Sequence, residues 1–347
     1  MKIKRHSIKD IASALNVSIT TVSFVLNGKA KEKRISDEVA KKILDYAKKT
    51  NYKPNQLAQS LRTGKTNILV FMVEDISNLF FAKIARIIED IAYKKGYKVL
   101  FCSNENNDEK SRELIQLFYE RQVDGFIIIP SPGIKKQIQM LIDARIPVVL
   151  FDRFFPDLET NYVVINNREA TYKGTMHLVE NNFKKIGFIT IDVAQNQMAD
   201  RLKGYQLALK ENSLEEHVLK IPFYETGSKS GKKQFLKFIK DNPELDAVFF
   251  STNYLTQVGL EVIQENFPEK LLDFGIITFD DNELFKLYTP SISAVAQPLE
   301  KIGKELMKIM LELLNPGSDK KELHQVVLNA TLIVRDSSKT NANKIDI

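Results

Sequence analysis

The sequence predicts a small α-helical unit at the N-terminus, followed by a larger α/β domain built on parallel sheets. Three observations support this division. The chain has 347 residues, which is too long for one ordinary hydrophobic core and indicates two or three domains. Residues 7–50 carry apolar side chains at helical spacing. From residue 66 onward, short apolar segments alternate with amphipathic ones, as strands and helices do in parallel sheets covered on both faces.

The N-terminal unit is predicted to contain three short helices. "SIKD" is close to a capping box and should begin the first helix at Ser7, while Ser18 and Ser36 can cap the second and third. The predicted inward-facing residues are Ile8, Ile11, Ala12, Leu15, Val22, Val25, Leu26, Val39, Ile43, Leu44 and Ala47. Two short helices joined by the turn "NVS", with a third helix closing the core, describe a helix-turn-helix unit.

Positive charge is concentrated in this unit. The whole chain has a net charge of +6, but residues 1–65 hold 15 Lys or Arg against 5 Asp or Glu, a balance of +10. The remainder holds 35 against 39, a balance of −4. Such an asymmetry between segments indicates a polyanionic partner, such as DNA, for the N-terminal part.

The second helix is the element that would enter a major groove of double-stranded DNA. Hydroxyl groups can donate hydrogen bonds to phosphate oxygens, and outward side chains can contact base edges. The candidate DNA-binding residues here are Ser18, Ile19, Thr20, Thr21, Ser23, Phe24 and Asn27. The alternative is a three-helix bundle without a nucleic-acid partner, which the charge distribution disfavours.

Two motifs at this spacing carry a family resemblance. "SIKDIASALNVSITTVSFVLNGK", followed by "NYKPNQLAQSLRTGKTN", resembles the lactose-repressor (LacI/GalR) family of bacterial transcription regulators, and the resemblance covers nearly the whole chain. It implies a headpiece (residues 1–50), a hinge helix and a ligand-sensing domain that act as a homodimer on a palindromic operator. It also implies that Ile19, Thr20 and Phe24 read bases. The family commonly has Arg at the last position, whereas Phe can only touch a thymine methyl group.

The segment 51–65 is predicted to be a hinge helix and linker. Asn55 follows Pro54 as a possible cap, but so short a helix is marginally stable alone in water. The resemblance implies that Leu61 inserts into the DNA minor groove, with Ala58 on the same face. Marginal stability would let the segment act as a switch. The alternative is a simple linker between domains.

The remaining chain is predicted to form a two-lobed sensor domain. Eight strand-like segments, from "NILVFMV" to "FGIITF", are too many for one sheet, and the resemblance divides them into two lobes like those of a periplasmic sugar-binding protein. We expect the domain at 66–338, with a polar tail at 339–347. Lobe 1 should hold about 66–161 and 295–323, and lobe 2 about 162–294 and 324–338. The tail region lacks leucine heptads, which favours a dimer over a coiled-coil tetramer.

Polar and aromatic residues near the carboxyl ends of these strands form a candidate effector site. Ligands of open α/β sheets bind beyond those ends, and such side chains suit a polyhydroxylated sugar. The candidates are Asp75, Asn78, Phe80, Phe81, Asp152, Arg201, Asn253 and Asp280. The resemblance places effector contacts at Asp152, Arg201, Asn253 and Asp280. The alternatives are strand-end turns, an Asp152–Arg153 pair, and phenylalanines that belong to the core.

Two departures from the family pattern bear on the ligand. The family usually has Asn-Asp where this chain has Asn253-Tyr254, and Asp-Asn where it has Asn166-Asn167. Each change removes a carboxylate, so we expect Arg201 to be less neutralised. Either an acidic sugar or a neutral sugar held differently is then compatible with the sequence.

Signals for other classes of function are weak. "GSKSGKK" has the wrong spacing for a phosphate-binding loop, the four histidines lack metal-ligand spacing, and Cys102 is the single cysteine. No enzyme activity, metal or cofactor is expected. The start "MKIKRHSIKD" is not a secretory signal, which predicts a cytoplasmic protein. We therefore predict a ligand-responsive repressor. The rivals are a DNA-binding architectural protein that senses no ligand and a cytoplasmic solute-binding protein.

Overall fold

The computed structural model describes residues 6–52, 64–315 and 322–339. Contacts between Cα atoms divide the chain into two compact units, Met1–Thr66 and Asn67–Ile347. No single described helix is long and apolar enough to span a membrane. The first two helices reach the required length and hydropathy only together, and they bend by 112° at their junction.

The first unit contains the three predicted helices, α1 (Ile8–Leu15), α2 (Ile19–Leu26) and α3 (Asp37–Lys49). Ser7 and Asp10 form a complete capping box, so aspartate replaces the usual glutamate without losing either hydrogen bond. Ser18 and Ser36 cap the next two helices through their side-chain oxygens, and these predictions are confirmed. Each cap satisfies a backbone N–H that the helix itself leaves without an acceptor.

The small core of this unit follows the predicted helical spacing with one exception. Ile11, Val22 and Ile43 are fully buried where the three helices meet. Leu44 was predicted to be buried and is 51% exposed, so that prediction was wrong. Consecutive helical residues point about 100° apart, and burying Ile43 turns its neighbour toward solvent.

The second unit contains two six-stranded sheets. The first has the order β11-β5-β4-β3-β1-β2, and all of its pairs are parallel. Its strands are β1 (Ile68–Val73), β2 (Lys98–Ser103), β3 (Gly125–Ile128), β4 (Val148–Phe151), β5 (Asn161–Ile165) and β11 (Gln325–Leu328). The central strands β3 and β4 are buried along their whole length, as expected for sheets covered on both faces.

The second sheet has the order β12-β10-β9-β8-β6-β7 and is parallel except for the antiparallel pair of β10 with β12. Its strands are β6 (Ile186–Asp192), β7 (His217–Pro222), β8 (Ala247–Phe250), β9 (Gly275–Phe279), β10 (Ser293–Ala296) and β12 (Thr331–Ile333). The chain passes between the sheets three times, after β5, after β10 and after β11. The second unit therefore has two lobes, one on each sheet, that are joined by three chain segments.

Helices cover both sheets. Those of the first lobe are α4 (Leu79–Lys94), α5 (Asp108–Glu120), α6 (Lys135–Asp143) and α12 (Leu299–Leu313), which follows β10 of the second sheet but packs against α4. Those of the second lobe are α7 (Asn167–Glu180), α8 (Asn196–Glu211), α9 (Lys229–Asp241), α10 (Asn253–Asn266) and the short α11 (Lys270–Asp273). The apolar residues that these helices bury form the cores of the two lobes.

The predicted lobe boundaries need correction at two places. Strand β5 was assigned to the second lobe but pairs with β4 in the first sheet, Leu150 opposite Tyr162. The segment "QVVLNATLIV" was assigned wholly to the second lobe, but β11 pairs with β5 in the first sheet and only β12 lies in the second. An apolar strand pattern does not specify its partner, because pairing depends on hydrogen bonds between residues far apart in the chain.

Candidate functional site

The surface of α2 presents most of the predicted DNA-binding side chains. Ser18, Ile19, Thr20 and Asn27 are exposed, with Ile19 at 44%. Thr21 and Ser23 are partly buried and already hydrogen-bonded within the unit. The Ser18 and Thr21 hydroxyls lie 2.8 Å apart, and Asn27 Nδ2 donates to the Ser23 backbone oxygen at 2.7 Å. Ser18 and Thr21 are therefore held in fixed positions at the start of the helix.

Phe24 lies nearer the C-terminal end of α2 and is partly buried. The Lys33 ammonium lies 5.5 Å from the centre of its ring, a distance compatible with a cation–π interaction. A basic side chain therefore stands close to the position where the resembling family commonly has arginine. Of the other DNA-binding candidates, Ala58 and Leu61 lie outside the described residues.

Six of the eight effector candidates line a cleft between the two lobes, beyond the carboxyl ends of both sheets; Asp75 and Asn253 do not line it. The cleft encloses about 410 Å³, part of it open to solvent. Its lining residues are Glu74, Asn78, Phe80, Phe81, Asp152, Arg153, Ile191, Gln195, Gln197, Met198, Arg201, Phe223, Thr252, Tyr254 and Asp280. The mixture of apolar walls with a few convergent polar groups is typical of small-molecule sites.

Two aspartates take equivalent positions in the two lobes. Asp152 follows β4 and Asp280 follows β9, and both have positive φ angles, 66° and 74°. This left-handed conformation is uncommon for residues other than glycine, and strained residues of this kind concentrate at functional sites. Their carboxyl groups are thereby turned to the same cleft from opposite sides.

Arg201 is a buried cation on the second-lobe wall, 2% exposed. Its Nε donates to Asn167 Oδ1 at 2.8 Å and its Nη1 to the Ser251 backbone oxygen at 2.6 Å. Its guanidinium carbon lies 3.6 Å from the centre of the Phe279 ring. The hydrogen bond between Arg201 on α8 and Asn167 on α7 requires the two helices to pack closely. They can do so because residue 204 is glycine, where a Cβ atom would lie 2.2 Å from the Arg168 carbonyl oxygen. The guanidinium is thus fixed before any ligand arrives.

Burial sets the ionisation of these groups. It raises the pKa of Asp280 to about 6, although Arg201 and a 2.7 Å hydrogen bond from Gln297 act in the opposite direction. Burial likewise raises the pKa of Asp152 and lowers the pKa of Arg201, while Asp280 and Asp152 partly offset the latter effect. Perturbed carboxyl groups beside a fixed guanidinium are typical of a binding site.

Asn78 and Asn253 connect the lobes. The Nδ2 of Asn253, which is 4% exposed, donates to Asn78 Oδ1 at 3.0 Å. Asn78 also caps α4 through the Phe80 backbone N–H. Phe80 and Phe81 are 7% and 6% exposed and line the cleft as well as belonging to the core. Both interpretations offered for these two rings therefore apply.

Two sequence-based expectations about the cleft need correction. Asp75 is exposed, does not line the cleft, and accepts hydrogen bonds from the backbone and hydroxyl of Ser77. Strand side chains alternate, and here Glu74 is the residue that faces inward. Asn166 also lies outside the cleft, where its side chain contacts Glu169 and the Ala330 backbone N–H. Asparagine in place of aspartate at position 166 therefore does not change the number of hydrogen-bond acceptors in the cleft.

Several residues that line the cleft were not predicted from the sequence. Arg153 was considered only as a partner of Asp152, but its Nη2 donates to Glu74 at 2.9 Å. Gln195, Gln197 and Tyr254 also face the space. Glu74 directly precedes the candidate Asp75, and Arg153 directly follows the candidate Asp152. Their position next to residues that the strand-end rule had selected is the signal that could have found them. Their pairing joins residues 79 positions apart in sequence.

A second, larger groove of about 1000 Å³, part of it open to solvent, is lined by residues of β5, β11, α7 and α8 and also by Asp152. Phe154, Val164, Leu207 and Val327 supply an apolar wall. We favour the cleft as the ligand site because buried charges of both signs converge there. The groove is the wider and less polar of the two.

Comparison with known proteins agrees with this geometry. Residues 7–55 match the model of the bacterial regulatory proteins of the lacI family, and residues 175–338 match a periplasmic-binding-protein-like domain. The chain therefore combines a helix-turn-helix DNA-binding unit with a two-lobed ligand-binding domain, which defines a class of transcriptional regulators.

Full-length relatives specify the family. The chain is 30% identical over 335 residues to the transcriptional regulator RegA of Clostridium saccharobutylicum, covering 96% of this chain and 99% of RegA. It is 28% identical to the repressor PurR of Aliivibrio salmonicida, covering 88% and 91%. Its fold matches the lac repressor dimer bound to operator with a TM-score of 0.80 at 20% identity, covering 97% and 100%. The chain belongs to the LacI family, and it is a DNA-binding transcriptional regulator with an effector-binding domain.

Proposed function

We propose that this regulator is a repressor that binds a palindromic operator as a homodimer and responds to a sugar in the inter-lobe cleft. The observation that carries the proposal is the convergence on one cleft of Arg201, Asp152 and Asp280, each fixed by its own lobe. A ligand that contacts both lobes stabilises their closed arrangement, because only that arrangement makes all the contacts.

The DNA contacts proposed are those of α2 and the hinge. Ser18 and Thr21 are suited to phosphate oxygens, and Ile19, Thr20 and Phe24 to base edges. Ser23 and Asn27 support the helix end through their own hydrogen bond, and Ala58 and Leu61 are proposed as the minor-groove contacts. The net charge of +10 in residues 1–65 supplies a strongly salt-dependent part of the affinity.

The sugar contacts proposed are hydrogen bonds and ring stacking. Asp152 and Asp280 accept from ligand hydroxyls, while Arg201 and Asn253 provide N–H groups at the second-lobe wall. Phe80 and Phe81 cover the apolar face of the sugar ring from the first lobe. No step of this scheme breaks or forms a covalent bond, so we propose a binding protein rather than an enzyme, one that acts in the cytoplasm where its DNA target lies.

Exposed apolar side chains support the homodimer. On the first lobe they lie on the edge strand β2 and its flanking helices, and on the second lobe they lie near the loops after β7 and β9. The residues are Tyr93, Leu100, Phe101, Leu117, Tyr224, Leu284 and Leu287, with Tyr224 81% and Leu287 78% exposed. Exposed apolar side chains on an edge strand, here Leu100 and Phe101, are typical of a subunit interface.

The test begins with selection of binding sites from random duplex DNA by the full-length protein. Operator affinity is then measured by fluorescence anisotropy with and without a panel of sugars. We expect a palindromic consensus, and at least one sugar that changes the operator affinity by tenfold or more. A protein that binds no duplex even at low salt, or whose DNA affinity no ligand changes, contradicts the proposal. The second result favours an architectural DNA-binding protein.

A further inference from the structure

The floor of the cleft contains a buried ion pair, Glu74 with Arg153, which had no role among the residues predicted from the sequence. Both belong to the first lobe, where Glu74 follows β1 and Arg153 follows β4. Their side chains are 11% and 4% exposed, and Arg153 Nη2 donates to Glu74 Oε2 at 2.9 Å. Arg153 Nη1 also donates to Gln195 Oε1 of the second lobe, whose Nε2 donates to Asn106 Oδ1 at 2.6 Å.

Two polar atoms of residues that line the cleft are buried and without a hydrogen-bond partner. They are Arg153 Nε and Gln197 Oε1, in residues that are 3% and 2% exposed and that line the cleft. Buried polar atoms are nearly always paired in native proteins, so an unpaired donor and an unpaired acceptor in one cleft indicate a missing ligand. A hydroxyl group can accept from the first and donate to the second. A carboxylate can only accept.

The charges of the cleft also oppose an acidic ligand. Among the described residues that line it, three carboxyl groups (Glu74, Asp152 and Asp280) face two guanidinium groups (Arg153 and Arg201). Arg153 is neutralised by Glu74, and Arg201 already donates to two oxygens. An additional buried anion would therefore lack an unpaired cation, which is costly in an environment of low polarity.

We infer that the effector is a neutral polyhydroxylated molecule, and that Glu74 excludes the corresponding sugar acids by occupying the charge of Arg153. The inference rests on the proposed function and decides between the neutral and acidic sugars that the sequence left open. The ligand hydroxyls bridge Arg153 Nε and Gln197 Oε1. Glu74 is then a specificity-determining residue that rejects an anion by repulsion, in the manner of negative selection at other binding sites.

The test is calorimetry on the full-length protein with matched pairs of ligands. The probes are a series of neutral hexoses, pentoses and disaccharides, together with the uronates D-glucuronate and D-galacturonate as partners of D-glucose and D-galactose. We expect at least one neutral sugar to bind, at least tenfold more tightly than any uronate. Glu74→Gln should improve uronate affinity tenfold or more, because it frees the charge of Arg153.

Two further variants control this experiment. Glu113→Gln removes the same charge from an exposed position on α5 and should leave every affinity unchanged. The double variant Glu74→Gln/Arg153→Gln removes both charges and should lose the gain in uronate binding. The double variant also tests the role of Glu74 and Arg153 if the single variant folds poorly. In that case the wild type and the double variant should both reject uronates, and the double variant should bind the neutral sugar more weakly than the wild type.

The outcomes separate the two proposals. A wild-type protein that binds a uronate as tightly as its neutral partner overturns the inference about Glu74 and leaves the sugar-responsive repressor intact. An unchanged uronate affinity in folded Glu74→Gln does the same. If no member of the panel binds and none alters operator affinity, the proposed function itself fails, and the inference fails with it.

Discussion

Replacing Arg201 with methionine tests whether the cleft is built around this guanidinium. Methionine keeps much of the side-chain length and its contact with Phe279, but it removes both hydrogen bonds and the charge that faces Asp280. Hydrogen bonds that involve a charged group contribute about 1.5 to 3 kcal/mol each. Because Arg201 makes two in a fully buried position, we expect Arg201→Met to lower the free energy of unfolding by roughly 3 to 5 kcal/mol.

The effect on ligand binding should be larger than the effect on DNA binding. Arg201 belongs to the second unit, so the variant should bind operator in the absence of ligand with unchanged affinity while losing at least a hundredfold in sugar affinity. Guanidinium unfolding followed by circular dichroism gives the stability, and calorimetry gives the sugar affinity. Arg86→Met, at a side chain that is 71% exposed, is the matched control. A loss below about 1 kcal/mol in Arg201→Met would refute the reasoning.

Three further changes have expected outcomes. The folded-state pKa of Asp280, about 6, lies above its ordinary value of 3.8, so its contribution to stability is fully present below pH 4 and is lost as the pH rises through 6. Asp280→Asn should therefore remove about 3 kcal/mol of that pH dependence, measured by unfolding between pH 4 and 7, and should abolish sugar binding. Asn253→Ala should remove the inter-lobe bond to Asn78 and weaken sugar affinity by about fivefold, corresponding to about 1 kcal/mol in calorimetry; an unchanged affinity would show that closure does not use this bond. Leu61→Ala should weaken operator binding much more than binding to random DNA; equal losses on both in anisotropy titrations would exclude a wedge role.

The sequence was sufficient for features that depend on local chemistry. Ser7, Ser18 and Ser36 cap the helices where hydroxyl residues precede apolar periods, because a cap requires only its own helix. The strand-end rule found Asp152 and Asp280, since the carboxyl ends of parallel strands meet at one edge. These predictions use only neighbours in the chain or a general property of parallel sheets.

Features that depend on distant partners could not be predicted in the same way. Strands β5 and β11 pair across 163 positions, as in the contact between Asn161 and the His324 backbone N–H, and their apolar pattern does not specify the sheet. The Glu74–Arg153 pair likewise exists only after β1 and β4 have been placed two strands apart. Asp75 shows the same limit at a single residue, because one step along the chain decides which carboxylate faces the cleft.

The most direct measurement is operator affinity of the full-length protein across a titration of its neutral sugar, in wild type and in Arg201→Met. We predict that the sugar shifts wild-type operator affinity by tenfold or more, a coupling of about 1.4 kcal/mol, and leaves the variant unaffected. If both proteins respond equally, the ligand acts elsewhere than in the cleft. If neither responds while the sugar binds wild type, the cleft is not coupled to DNA, and the central claim is contradicted.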